Sequence, residues 1–199
     1  STKLSIANAL FTNQFITIKP DFIHTNESFY EATVKPVDFG QPQTVNVINQ
    51  WASDNTNGLI NKVIEMTNAD DLIYLLNAIY FKGIWASEFE KKNTSDKPFT
   101  GEDGIRTDVE MMQQTAKFTY TGNENMQLLQ LPYGNKAFSM MVLLPAEGEK
   151  LHDIVKTVRN DGYWEKLKGN LHEAEVELSL PKFKTEYSKK MKDILTKMG

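Results

Sequence analysis

The segment of residues 72–85 constrains the fold of this chain more than any other. It is an almost unbroken apolar run, rich in β-branched and aromatic residues, that ends with a lysine, a glycine and a tryptophan. Such a run is typical of a long strand that is buried on both faces of a sheet. One amide, Asn77, interrupts the run, and a buried amide without hydrogen-bond partners costs about 1–3 kcal/mol. We therefore expect Asn77 to lie at a fixed polar junction. The alternative is an ordinary core asparagine whose hydrogen bonds are satisfied.

Composition excludes several classes of function. The 199 residues carry a formal net charge of −4, which gives no support for a nucleic-acid partner. The absence of cysteine excludes disulfides, thiolate catalysis and cysteine-ligated metals. No apolar run reaches the ~18 residues of a membrane span. The three histidines lie far apart and no Gly-x-Ser-x-Gly motif occurs, so we expect neither an enzyme nor a catalytic residue, and no metal or cofactor.

Hydrophobic periodicity and turn residues predict an α+β fold with dominant sheets. Strands are expected at residues 3–18, 32–39, 72–83, 105–112, 117–120, 126–131, 138–144 and 173–183. Helices are expected after Pro20, around residues 45–52, twice within 151–169, and after a cap at Ser188. Residues 93–104 are expected to form a loop. No linker composition divides the chain, so residues 1–199 are expected to belong to one domain.

Four motifs occur along the chain in a definite order. They are Ile48-Asn49-Gln50-Trp51 followed by Thr56, Gly58 and Ile60; the run from Asn77 to Trp85 followed by Glu88-Phe89; Leu131-Pro132-Tyr133-Gly134 with Ser139 to Pro145; and Val176 to Phe183. In this order they resemble the serpins, a family of serine-protease inhibitors that act through a mobile loop. The resemblance extends over essentially the whole chain. It implies a serpin-like multi-sheet fold, with parts of sheets A, B and C and surrounding helices.

The resemblance also implies roles for individual residues. Asn77 corresponds to the shutter, the polar cluster beneath the point where sheet A opens. Four residues correspond to the breach, near the end of the sheet where loop insertion begins: Lys82, Gly83, Trp85 and Lys182. Four others lie on or after the helix that covers sheet A: Asn49, Trp51, Thr56 and Gly58. Two alternatives stay open, because Trp85 could be an aromatic plug and Lys182 a solvated charge beside Lys184.

As the resemblance implies, a target protease of the serine class, or of the cysteine class, cleaves the reactive loop. The loop then inserts beside strand 72–83. Loop insertion is a property of the serpin family that the resemblance implies. We expect the chain to be an interior, incomplete portion of one serpin domain, without the N-terminal helices and the reactive bond. Secretion is expected, with an intracellular location as the alternative.

Two alternative functions stay open. One is a non-inhibitory serpin that serves as a carrier, chaperone or storage protein. The other is an inactive fragment that self-associates, since an open sheet edge is a template for strand exchange. Its partners would then be the missing serpin segments or another copy of the chain.

Overall fold

The computed structural model describes residues 2–184, 189 and 191–198. These residues fall into two compact units. The three-stranded unit comprises residues 3–82 and the described residues after 186. The five-stranded unit comprises Thr2 and residues 83–184. The expected cap Ser188 lies outside the described residues, and the assignment of residues 1–199 to one domain stays a prediction.

The three-stranded unit contains one small sheet and three helices. Its elements are β1 (Lys3–Asn13), α1 (Pro20–Tyr30), β2 (Thr33–Val37), α2 (Gln43–Asn55), β3 (Ile73–Lys82) and, at the end of the chain, α5 (Lys192–Met198). The strand order is β2-β1-β3, with β2 parallel and β3 antiparallel to β1. The strand and helix types predicted for residues 3–82 are thus confirmed, with shorter strands and a longer α2 than expected.

Local chemistry explains where the helices begin and end. Pro20 is the first residue of α1, where its fixed φ suits a helix and its missing N–H leaves no bond unmade. Helix α2 ends at Asn55, and the two residues after Thr56 take left-handed conformations, with φ of 53° at Asn57 and 77° at Gly58. A glycine adopts this conformation without strain. The stop signal read from the sequence is therefore confirmed.

The core of the three-stranded unit lies on one face of its sheet. Phe11, Phe39 and Ile48 are almost fully buried there, so that α2 packs against β1 and β3. The expectation that β3 is buried on both faces is wrong. Tyr80 is 6% exposed, whereas Leu75 is 59% exposed on the opposite face. The reason is that side chains alternate along a strand, and α2 covers one face only.

The five-stranded unit is built around one long strand. Its elements are β4 (Thr94–Thr100), β5 (Arg106–Gly122), β6 (Met126–Tyr133), β7 (Phe138–Pro145), α3 (Leu151–Val158), α4 (Tyr163–Gly169) and β8 (His172–Pro181). Strands β4, β6 and β8 all pair with β5, and β7 pairs with β6.

Two expectations fail in this unit. The region expected as a loop contains β4, a mostly polar strand with a proline, whose exposed positions hide any alternation of apolar residues. The two short strands expected at 105–112 and 117–120 are one continuous strand, β5, because polar residues 113–115 pair with β8 instead of turning. The β6–β7 hairpin, the two helices and the half-buried strand β8 are confirmed. Leu178 and Leu180 of β8 are buried as expected.

Candidate functional site

Asn77 lies in the middle of β3 and is bonded to a second asparagine. Its Nδ2 donates to Oδ1 of Asn8 on β1 (2.9 Å) and, more weakly, to the Ala7 carbonyl (3.4 Å). Asn8 in turn donates from Nδ2 to the carbonyl of Tyr30, the last residue of α1 (2.8 Å). The expectation that the Asn77 amide is buried is wrong, because Asn77 lies on the exposed face of the sheet. Its polar junction is real, but its partner Asn8 was missed, although Asn8 also interrupts an apolar run.

Asn49 joins α2 to the residues that follow it. We call residues 57–72, which run from the end of α2 to β3 without helix or strand, the connecting segment. Oδ1 of Asn49 accepts the N–H groups of Val63 (2.8 Å) and Ile64 (3.1 Å), and its Nδ2 donates to the Ile64 carbonyl (3.0 Å). One half-buried side chain therefore satisfies three backbone groups that have no ladder partner.

The other predicted residues of this helix fix its end and its inner face. Thr56 is 1% exposed; its Oγ1 donates to the Ala52 carbonyl (2.7 Å) and accepts the Ile60 N–H (3.0 Å). The Gly58 N–H donates to the Ser53 carbonyl (2.8 Å). Trp51 packs edge-on against Phe11, with ring centroids 6.3 Å apart. All four predicted residues, Asn49, Trp51, Thr56 and Gly58, thus lie on α2, at its end or at the start of the connecting segment and make contacts there.

Trp85 anchors the chain after β3 within the five-stranded unit. Its ring stacks on Tyr133 of β6, with centroids 4.3 Å apart and planes at 15°, and meets the edge of Phe89. Backbone bonds flank the stack: Gly134 N–H donates to the Ile84 carbonyl (2.7 Å), and Ala86 N–H to the Pro132 carbonyl (2.8 Å). Burial raises the pKa of the Tyr133 phenol. The aromatic plug and the breach role predicted for Trp85 are both compatible with this geometry.

Lys182 follows β8 and is bonded to one residue of β5. Its backbone N–H donates to the Glu110 carbonyl (2.9 Å), and its Nζ lies 2.7 Å from Glu110 Oε1. Both side chains are more than half exposed, so the ion pair is worth at most about 1 kcal/mol. Glu110 was not found from the sequence, because only the pairing of β5 with β8 places it there.

Lys82 and Gly83 were also predicted for the breach. Lys82 is the exposed last residue of β3 and lies opposite Lys3 of β1 in the antiparallel register. Like charges in this position repel, and the Nζ of Lys3 instead lies over the ring of Tyr80, 5.7 Å from its centroid. Gly83 is half-buried directly after the strand. In residues 2–184, 189 and 191–198, no group of three His, Asp or Glu side chains is placed to hold a metal ion.

The whole chain, residues 1–199, matches the family described as Serpin (serine protease inhibitor). It is 34% identical to human Serpin B11 over 98% of this chain and 52% of that protein. It is 30% identical to Serine protease inhibitor 2 of Anopheles gambiae over 98% of this chain and 49% of that protein. Among solved structures it resembles the thermophilic serpin tengpin in the native state (TM-score 0.87, 32% identity) and in the latent state (TM-score 0.86, 31% identity). All of this chain and 51% or 54% of the tengpin chains are covered.

These similarities define the class of protein as an inhibitor family whose fold combines helices with several sheets. The chain belongs to the serpin family, and its structure is a partial serpin fold. The predicted family and fold are therefore confirmed. The chain spans about half the length of the curated relatives that it matches. No helix in the described part of the chain is long and apolar enough to cross a membrane. The secreted location stays a prediction.

Proposed function

We propose that this polypeptide is part of a serpin-type inhibitor of serine proteases, a suicide substrate whose reactive loop inserts beside β3. Its membership of the serpin family, and the inhibitor names of some relatives, support this proposal. The protease is the partner, and the chain itself is not an enzyme.

The position of β3 carries the proposal. Among the described residues β3 pairs with β1 only, so it lies at the edge of its sheet. The backbone groups along such an edge can form a complete ladder with an added strand. The inner face of β3 is held by the core around Ile48, and its register with β1 runs from Ile73 to Lys82. Among the described residues β3 is thus a fixed strand beside which a further strand can be added, as an inserting loop requires.

Roles for the predicted site residues follow from this proposal. Asn77, bonded to Asn8, would be the shutter that holds β1 and β3 together while the sheet opens. Lys82, Gly83 and Trp85 would be the breach residues at and after the end of β3. The stack of Trp85 on Tyr133 would fix the chain that follows the strand. Lys182, paired with Glu110 within the five-stranded unit, would be the charged breach residue that the resemblance implies. The residues of α2 would control how far that helix can yield.

The experiment is a search for the covalent complex. The gene product, with any segments that its gene adds before residue 1 and after residue 199, is mixed with trypsin-like and subtilisin-like serine proteases. A band that resists SDS and has the summed mass of the two proteins is the expected result. Cleavage without such a band, for every protease tested, would show a non-inhibitory serpin and overturn the proposal.

One observation favours a second function for the isolated 199-residue polypeptide, which is self-association through β3. Beside the open edge, the uncovered face carries large apolar side chains, among them Ile6 and Ile79 at 59% and 58% exposure. Contiguous apolar surface next to an unpaired edge promotes association. Light scattering of the purified polypeptide should show mass that rises with concentration, and less so for Ile79→Lys. A monomer at all concentrations would contradict this function.

A further inference from the structure

The connecting segment is held by side chains instead of a backbone ladder. Segments of this length without secondary structure are uncommon in compact domains and are usually either functional or disordered linkers; the side-chain bonds of this one distinguish it from a disordered linker. Asn49 binds its middle at Val63 and Ile64, as described above. Its far end, where the chain turns into β3, is held by a separate set of residues that no family motif in the sequence indicated.

Asn13, the last residue of β1, is the centre of this set. It is 6% exposed, and its Nδ2 donates to two carbonyls, those of Ala69 (3.0 Å) and Asp71 (3.0 Å). Its Oδ1 accepts the Phe15 N–H (3.0 Å), and its backbone N–H donates to the Leu72 carbonyl (2.9 Å). The two Nδ2 bonds and the backbone bond thus hold the last residues of the connecting segment against the end of β1, and the Oδ1 bond fixes the turn that follows β1.

Asp71 and Tyr74 complete the arrangement from the other side. Oδ2 of Asp71 accepts the Asn68 N–H (2.8 Å) and the Tyr74 hydroxyl (2.7 Å). The ring of Tyr74, the second residue of β3, packs against Phe39 in the core with centroids 5.1 Å apart. The carboxylate therefore ties a turn of the connecting segment to a side chain that the core already holds.

We propose that Asn13, Asp71 and Tyr74 form a hydrogen-bonded cluster, which we call the knot, that fixes the first residues of β3. The fixed strand is thereby ready to pair with an added strand. The connection to strand addition rests on the proposed function. The physical reason is entropic: ordering a loose residue costs conformational entropy, and this cost would otherwise fall on the insertion step. Since Ile73 opposite Thr12 is the first pair of the β1–β3 register, loosening the knot frees the strand from that end.

The first test measures the knot itself in the 199-residue polypeptide. Tyr74→Phe removes only the hydroxyl. Asn13→Asp keeps the shape, removes the two donated bonds and places a negative charge beside the carbonyls of Ala69 and Asp71. Tyr30→Phe, at an exposed position of α1, is the matched control. We expect amide hydrogen exchange of residues 68–76 to accelerate at least about tenfold in both variants and not in the control. Exchange equal to the control in both variants would overturn the knot.

The second test connects the knot to insertion in the complete gene product. Under the proposed function, cleavage leaves the reactive loop bonded to the protease as an acyl-enzyme, and insertion competes with hydrolysis of that bond. A slower insertion step therefore raises the fraction of cleaved inhibitor. For Tyr74→Phe we expect at least a twofold larger cleaved fraction, with the initial association rate unchanged. A cleaved fraction equal to wild type, despite faster exchange, would overturn the positioning role. If wild type itself forms no covalent complex, the proposed function fails, and the exchange data still decide whether the knot fixes β3.

Discussion

Replacing Asn49 by alanine should detach the middle of the connecting segment. The side chain makes three hydrogen bonds of 2.8–3.1 Å to the backbone of Val63 and Ile64. At about 1 kcal/mol net for each bond, their loss costs about 3 kcal/mol. Alanine is the better helix former by about 0.5 kcal/mol, which offsets part of this cost. The expected loss in the free energy of unfolding is therefore about 2–3 kcal/mol.

The matched control is Asn46→Ala, three residues earlier on the exposed side of the same helix. It carries the same gain in helix propensity and removes none of the three bonds. Urea unfolding monitored by tryptophan fluorescence gives the difference between the variants, and hydrogen exchange at Val63 and Ile64 locates it. Asn49→Asp, which keeps both accepted bonds and loses the donated one, should lie between them. If the free energies of unfolding of Asn49→Ala and Asn46→Ala agree within about 0.5 kcal/mol, the Asn49 side chain does not hold the connecting segment.

Three further predictions concern single contacts. The Asn68 N–H and the Tyr74 hydroxyl hold the pKa of Asp71 below its usual value of about 3.9. The stabilisation that Asp71 provides is therefore present above that pH and is lost as pH falls through the lowered pKa. In Tyr74→Phe, NMR titration should show a higher pKa for Asp71, and an unchanged pKa would contradict the contact. Trp85→Ala should destabilise the five-stranded unit by about 2–4 kcal/mol in urea unfolding, and Trp85→Phe by less than half as much, whereas equal losses would show that the stack on Tyr133 contributes little. A double-mutant cycle of Glu110→Gln and Lys182→Gln should give a coupling below about 1 kcal/mol that disappears in 1 M salt, and a larger, salt-resistant coupling would show that the pair is more than a surface ion pair.

The sequence predicted those elements whose signals are local. The proline of α1, the stop after α2 and the turn between β6 and β7 each lie within a few residues of the boundary that they define, and the alternation in β8 is regular. It did not predict β4, an exposed strand recognisable only by its pairing with β5. Nor did it predict which face of β3 is covered, since that depends on where α2 packs.

The same distinction separates the site residues that were found from those that were missed. Asn77 stands out because it is polar within an apolar run, so its involvement in a polar contact was predictable, whereas Asn49 was indicated only by the family resemblance. The bond between Asn77 and Asn8 and the bond between Asn13 and Asp71 were not predictable, because they join residues 69 and 58 positions apart. Only the antiparallel register of β1 and β3 brings these residues together. The residues of the knot therefore become visible only in the folded unit.

The structure of β3 explains why a knot at its beginning would matter more than one elsewhere. Along its length the strand is held by β1 at one edge and by the core on one face, while its other edge has no strand partner in the described part of the chain. The middle of β3 is secured by the complete ladder to β1. At its beginning the ladder ends, and the chain continues into a segment without regular structure. Fraying there would remove ladder positions from a template that an inserted strand must match residue by residue. Asn13, Asp71 and Tyr74 lie at the point where this loss would start.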